Sequence, residues 1–230
     1  MILNKLVKKT IYVSLFIQFL TTTYSLNGLR YELNDYDSVL KDILLLEAFV
    51  QFVEGFFYVW VIFALKDLNI MTPRRYIDWF ITTPTMLLTT IIFMKYLDHK
   101  QNNLEKVTLE KFLISDIDNI KFIFIFNFLM LLFGYLGETN LINNKKAVII
   151  GFIFFYLSFN KIYKEYAYKT ELGTKLFIFL LIIWSLYGYA AIKDIVIKNI
   201  MYNGLDVVAK NFYGLFIYYY ITQIGYLKVR

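Results

Sequence analysis

Long apolar runs separated by short polar breaks dominate the sequence. The runs define seven segments, each near the ~20 residues that a helix needs to cross the hydrocarbon core of a bilayer. The predicted helices are 8–26, 39–65, 73–97, 117–137, 144–168, 172–193 and 200–226. No separate soluble domain remains. We therefore predict one all-α integral membrane domain over residues 1–230.

The connections give further constraints on this bundle. Pro73 is predicted to open the third helix, and Pro84 lies within it, where a membrane helix tolerates proline if its neighbours satisfy the freed carbonyl. An odd number of spans puts the two termini on opposite sides of the membrane. Lysine and arginine flank both sides in nearly equal number, so the positive-inside rule does not choose the orientation.

Composition supports the membrane assignment and narrows the chemistry. The chain is 59% hydrophobic and 20% aromatic and has no cysteine, which excludes disulfides, thiol catalysis and cysteine metal sites. Its one histidine, His99, lies in a polar loop. We expect neither a metal site nor an enzyme, since no catalytic domain follows the seventh helix. The net charge of +6 is scattered through short loops, so no nucleic-acid partner is expected.

The last apolar segment contains a lysine, Lys210, four residues after Asp206. A lysine deep in a membrane helix is costly to insert and is a functional-site candidate by default. One helical turn separates the two residues, so the carboxylate and the amine share a face and can neutralise each other. A lysine held in this way is a natural aldehyde acceptor for a Schiff base, which points to a covalently bound retinal. The alternative is a purely structural buried ion pair.

The third segment carries the matching counter-charge. Arg75, Asp78 and Thr82 follow at offsets of 3 and 4, so they lie on one helical stripe. An iminium cation in a low-dielectric pocket needs an opposite charge. Asp78 and Asp206 would supply two acids, and Arg75 would bring the net local charge close to zero.

The string Arg-Tyr-x-Asp-Trp-x-x-Thr-Thr-Pro from Arg75 to Pro84, together with the last-helix Asp-x-x-x-Lys, resembles the microbial (type 1) rhodopsins. The resemblance covers nearly the whole chain. It implies a seven-helix bundle of the bacteriorhodopsin type with its N-terminus outside and its C-terminus cytoplasmic. It also implies all-trans retinal covalently bound to Lys210, with Asp78 and Asp206 as counterions, and isomerisation to 13-cis in the light.

The same resemblance marks the positions expected to contact the retinal. In a chain this rich in aromatic residues, each of these positions taken alone would more often be an ordinary core residue. Their placement relative to Lys210 and Asp78 favours a cofactor site. The expected contacts are Trp79, Thr82, Met130, Gly134, Trp184 and Tyr187. Gly188 departs from the pattern, because many pumps have proline after the tyrosine.

Two features bear on the type of rhodopsin. Many outward proton pumps have a carboxylate donor eleven residues after the helix-three counterion, and here that position is Thr89, whose hydroxyl cannot reprotonate a Schiff base quickly. In the second helix Glu47, Gln51 and Glu54 form one polar stripe at spacings of 4 and 3. Such stripes line ion routes. The alternative is a pair of protonated glutamates bonded to neighbouring helices.

Ser14, Glu54 and Asn211 are predicted to meet near the Schiff base, where they resemble the central gate of channelrhodopsins. With Thr89 and the helix-two glutamates, the chain looks most like the viral rhodopsins of group 1, from giant viruses of algae. That resemblance implies a light-gated channel for monovalent cations in a host cell membrane. Two alternatives stay open: an outward proton pump with Glu47 as an atypical donor, and a sensory rhodopsin. A homo-oligomer is expected.

Overall fold

The computed structural model of the chain describes residues 2–63 and 68–227, and most of these residues are helical. The helices are α1 Ile2–Asn27, α2 Val39–Ile62, α3 Leu68–Gln101, α4 Leu109–Ser115, α5 Ile117–Glu138, α6 Asn144–Glu165, α7 Glu171–Ala191, α8 Ile195–Asp206 and α9 Phe212–Ile224. A π-helical turn, Val207–Asn211, joins α8 to α9, and the three pieces form one span. The predicted seven-helix bundle is confirmed.

The helix boundaries differ from the prediction at several places. α3 begins at Leu68 and runs to Gln101, so the expectation that Pro73 opens this helix is wrong; the proline lies inside it. α4 was not predicted, and its seven residues lie between the predicted third and fourth membrane helices. Its first turn is capped by Thr108, whose hydroxyl accepts from the backbone N–H of Lys111. The predicted end of the second helix, 64–65, lies outside the described residues.

A small antiparallel pair ties the first span to the last. Strand β1, Tyr31–Glu32, follows α1, and it pairs with strand β2, Tyr226–Leu227, which follows α9. The C-terminal ends of α1 and α9 therefore lie at the same end of the bundle, which we call the C-terminal face. The end where α1 begins is the N-terminal face. This arrangement agrees with an odd number of crossings; which face is outside stays a prediction.

Five helical stretches among the described residues are long and apolar enough to cross a membrane by themselves: Asp35–Ile62, Ile70–Gln101, Ile117–Glu138, Asn144–Lys169 and Glu171–Ala191. The other two spans are less uniform. Lysines lie in the first turns of α1, and the seventh span is interrupted at its π turn. Large apolar side chains such as Phe16 and Phe19 are exposed on the outside of the bundle, as expected for a lipid-facing surface.

Candidate functional site

Lys210 lies within the π turn and is buried in the middle of the bundle. Its Nζ is 2.6 Å from Oδ2 of Asp78, 3.5 Å from Oε1 of Glu54 and 4.0 Å from Oδ1 of Asp206. π-helical turns are frequent at functional sites. The nearest carboxylate to the amine is therefore Asp78 on α3, and the predicted one-turn partner Asp206 is the most distant of the three.

Asp206 has its own set of partners. Its Oδ2 accepts from Nη1 of Arg75 at 2.9 Å and from the hydroxyl of Tyr58 at 2.9 Å, while its Oδ1 accepts from the hydroxyl of Tyr187 at 2.9 Å. Arg75 also donates through Nη2 to Oδ1 of Asn203. Asp78 is thus paired with Lys210, and Asp206 is paired with Arg75.

Glu54 changes the predicted charge balance. The sequence predicted that Asp78 and Asp206 balance the two cations, Lys210 and Arg75. Glu54 is also fully buried and lies within 4 Å of Lys210. Three carboxyl groups then face two cations. An uncompensated buried carboxylate is costly, so the cluster is balanced when one of the three carboxyls keeps its proton.

An apolar cavity of about 110 Å³ lies on the side of Lys210 that faces α5, α6 and α7. Five of the six residues expected to contact a retinal line this cavity together with Lys210, namely Trp79, Met130, Gly134, Trp184 and Tyr187. The sixth, Thr82, is buried beside it, and its hydroxyl donates to the backbone carbonyl of Asp78 at 2.9 Å.

The cavity fits a long apolar aldehyde. Its walls are mainly aromatic and aliphatic, and Lys210 is the charged side chain among the described residues that line it. A Cβ at Gly134 would come within 2.7 Å of the hydroxyl of Tyr76, so this glycine lets the tyrosine lie close to the helix. Within the described residues, Nε1 of Trp79 and Nε1 of Trp184 have no hydrogen-bond partner, and both indoles serve as apolar walls. The residues present therefore fit retinal.

The three predicted gate residues lie at different levels. The hydroxyl of Ser14 donates to the backbone carbonyl of Asn203 at 3.0 Å, whereas Oδ1 of Asn211 accepts from Thr21. Ser14 and Thr21 are seven residues apart on α1, which is about 10 Å along the axis. Of the trio, Glu54 makes the contact with Lys210. The structure therefore places Ser14 and Asn211 in two separate pairs, and their role as a gate stays a prediction.

Thr89, in the donor position of many pumps, is in direct contact with the helix-two stripe. Its hydroxyl hydrogen-bonds to Oε1 of Glu47, and both residues are fully buried. The residue predicted as an atypical donor thus lies beside the position where a donor carboxylate was expected.

Of the polar stripe on α1, sequence reasoning found Ser14 and missed the other three members. Ser14, Gln18, Thr21 and Ser25 recur on α1 at spacings of 4, 3 and 4, and all four are buried. The same spacing had identified the stripe on α2. On α2 the polar stripe also continues to Tyr58, four residues after Glu54. The hydroxyl of Tyr58 donates a hydrogen bond to Asp206.

The sequence matches the family described as bacteriorhodopsin-like protein over residues 9–224, so the chain belongs to that family, the microbial rhodopsins. Among solved structures it is similar to the viral rhodopsin OLPVRII, with 27% identity, a TM-score of 0.82, and coverage of 95% of this chain and 99% of that one. It is also similar to a blue light-absorbing proteorhodopsin from Med12, with 18% identity, a TM-score of 0.73, and 94% and 97% coverage. No curated protein sequence matches the chain.

These comparisons confirm the predicted family, the bacteriorhodopsin-type fold and the likeness to viral rhodopsins. The narrower assignment to group 1 stays a prediction. Members of the family bind retinal covalently on a lysine and are light-driven ion transporters or photoreceptors rather than classical enzymes. The chain is therefore a light-driven retinal protein and a multi-pass membrane protein.

Proposed function

We propose that this protein is a light-gated channel for monovalent cations, with all-trans retinal on Lys210 as its chromophore. The observation that carries the proposal is a continuous set of buried polar side chains beside the lysine, on the side away from the apolar cavity. We call this set the polar seam; it consists of Gln18, Thr21, Ser25, Glu47, Gln51, Glu54 and Asn211.

The polar seam has many groups suited to bind water or ions. Within the described residues, both amide atoms of Gln51 have no hydrogen-bond partner in the protein, and the same holds for Oγ of Ser25 and Nδ2 of Asn211. Nearly all buried polar groups in proteins are satisfied, because an unpaired one is costly. A run of such groups between α1, α2 and α9 supports a hydrated path, and its two glutamates favour cations.

The seam ends before it reaches the C-terminal face. One to two turns beyond Glu47, α2 contributes Ile43, Leu44 and Leu40, all fully buried, and Ile217 and Ile221 of α9 belong to the same buried apolar cluster. Apolar constrictions close a pore by excluding water. This layer supports a closed conduction path in the dark state.

The contacts at Lys210 connect the light-absorbing site to this path. Retinal, when bound, supplies the polyene that absorbs light. Asp78, at 2.6 Å, is the nearest acceptor for a proton held at Nζ of Lys210. Once that proton moves, Glu54 loses the cation that lies 3.5 Å away. Because Glu54 belongs to the polar seam, a proton shift at the lysine alters the charge of the conduction path directly.

Photocurrents under voltage clamp test the proposal. We expect light-induced currents that reverse sign at a potential set by the cation gradients, and no photocurrent in Lys210→Ala. Currents that stay outward at every voltage would contradict a channel.

The contact between Glu47 and Thr89 favours a second candidate, an outward proton pump in which Glu47 returns the proton to Lys210. For a pump, flash photolysis would show rapid return of that proton, which becomes slow in Glu47→Gln. For a channel, the same variant changes conductance while the rate of proton return stays close to that of the wild type.

We further propose that residues 1–230 act as one domain with the N-terminal face outside, in the membrane of a host cell. The likeness to a viral rhodopsin supports this location. Homo-oligomer formation is part of the proposal, and the mass of the protein in a mild detergent tests it.

A further inference from the structure

The wall of the apolar cavity is one side chain thick between α6 and α7. Phe152 on α6 lines the cavity, yet 38% of its surface is exposed on the lipid-facing side of the bundle. The wall contributed by α3 is closed, since Trp79 and Met86 are each less than a tenth exposed, and the residues of α5 that line the cavity are buried or only partly exposed. The cavity is therefore nearest to the bilayer at Phe152.

Gly188 on α7 forms the other side of this thin wall. A Cβ at Gly188 would lie 2.5 Å from Cε2 and Cζ of Phe152, so the aromatic ring occupies the space that any other residue at 188 would need. The remaining ring contact described for Phe152 is an edge-to-face packing with Phe155 at 5.8 Å. Apolar contacts alone hold the ring, and lipid chains offer similar contacts when it turns outward.

Among the residues that the structure describes, the two ends of the bundle offer no comparable opening. Toward the C-terminal face the way is closed by Phe159 and Leu180, which are buried one turn beyond the cavity-lining Phe155 and Trp184. Toward the N-terminal face the way is closed by the ion pair of Arg75 with Asp206 and by Tyr202, all fully or almost fully buried. A polyene that entered from this end would have to cross these charged groups. An apolar polyene instead partitions into lipid rather than water.

We infer that Phe152 and Gly188 form a lateral portal through which retinal passes from the bilayer into the cavity and toward Lys210. This inference rests on the proposed attachment of retinal to Lys210. The Phe152 ring turns outward to admit the polyene and closes against Gly188 once the polyene has passed. The portal determines the rate at which the pigment forms, whereas the cavity walls determine how retinal is held once it is bound.

Pigment formation by the full-length apoprotein in lipid nanodiscs tests the portal. All-trans retinal is supplied in protein-free vesicles, and the visible absorbance is followed at several retinal-to-lipid ratios to give a second-order rate constant. Phe152→Ala removes the ring and is expected to raise this constant about tenfold, the change produced by a barrier lowered by about 1.4 kcal/mol. Phe152→Trp enlarges the side chain that fills the portal and is expected to lower the rate constant.

Phe179→Ala is the matched control. Phe179 lies on α7, is 36% exposed and is not among the residues that line the cavity, so its rate constant should equal that of the wild type. Equal rate constants for Phe152→Ala, Phe152→Trp and the wild type, with full colour in each, would overturn the portal and leave the retinal site intact. No colour in any protein, the wild type included, would overturn both.

Discussion

The two regions on either side of Lys210 differ in almost every physical property. Toward α5, α6 and α7 the cavity is walled by aromatic and aliphatic groups. Toward α1, α2 and α9 the polar seam presents amide, hydroxyl and carboxyl groups, several of them without a partner in the protein. Lys210 belongs to both regions, because it lines the cavity and its Nζ lies 3.5 Å from Oε1 of Glu54 in the seam. We infer that the lysine separates a light-absorbing half from a conducting half.

The largest effect is expected at the residue that the two halves share. Lys210→Ala should abolish both the colour and the photocurrent, because the aldehyde of retinal has no amine to bind. The measurement is the visible spectrum after addition of all-trans retinal. Lys198→Ala is the control, since Lys198 is a second buried lysine, paired with Glu138 at 2.8 Å. Colour in Lys210→Ala, or equal loss in both variants, would contradict the assignment.

The seam alone is tested by Gln51→Leu. This change replaces an amide of the conducting half by an apolar group of similar size, and we expect the photocurrent to fall about tenfold, since a lost polar contact costs about 1–2 kcal/mol. The absorption maximum should move little. The counterpart in the other half is Trp184→Phe, for which we expect a shifted spectrum and a retained current. If Gln51→Leu shifted the spectrum as much as Trp184→Phe, the two halves would not be separate.

The fold could be predicted from the sequence because the bilayer fixes the length of each apolar run. The errors lie at helix ends, where no such constraint acts. α3 continues from its predicted end at 97 to Gln101, because Asp98 finds an ion-pair partner in Lys169 near the C-terminal face. α4 is too short for any hydrophobic period to reveal it.

The site was predictable within each helix and much less so between helices. Spacings of 3 and 4 identified the stripes on α2 and α3, but contacts between helices depend on how each helix is rotated. The π turn adds one residue to its turn, and one residue corresponds to about 100° of rotation. Lys210 therefore meets Asp78 rather than Asp206. No local sequence pattern predicted the π turn. The sequence also could not predict that Ser14 and Asn211 lie in two separate pairs.

A smaller effect is expected from adding one methyl group to each half. In Gly214→Ala the new Cβ would lie 2.2 Å from Nε2 of Gln51, so the seam narrows or the amide turns away, and in Gly188→Ala it would meet the ring of Phe152. Both changes should cost about 1–3 kcal/mol of stability. Only Gly214→Ala should reduce the photocurrent per coloured molecule, measured as current divided by visible absorbance. An equal reduction in Gly188→Ala would mean that the cavity wall also controls conduction.

The smallest effect is expected at Asp116, which joins α3, α5 and α6 near the C-terminal face, outside the spans and away from the seam. It accepts from Tyr166 at 2.9 Å and from Ser115 at 2.8 Å, and Lys95 lies 3.2 Å away. Burial by itself raises the pKa of Asp116, but these hydrogen bonds and the lysine charge outweigh burial and hold the pKa below its usual range.

A carboxyl group whose pKa is lowered by folding stabilises the protein above the unfolded pKa of about 3.9, and this contribution is lost as the pH falls through the folded pKa. Asp116→Asn should therefore lower the melting temperature by a few degrees at pH 6 and by less at pH 3, leaving the spectrum and the photocurrent unchanged. Asp118→Asn, at an exposed position on the same helix, is the control and should leave the melting temperature unchanged at both pH values. A changed photocurrent in Asp116→Asn would extend the conducting half to α5 and α6, where no conduction is expected.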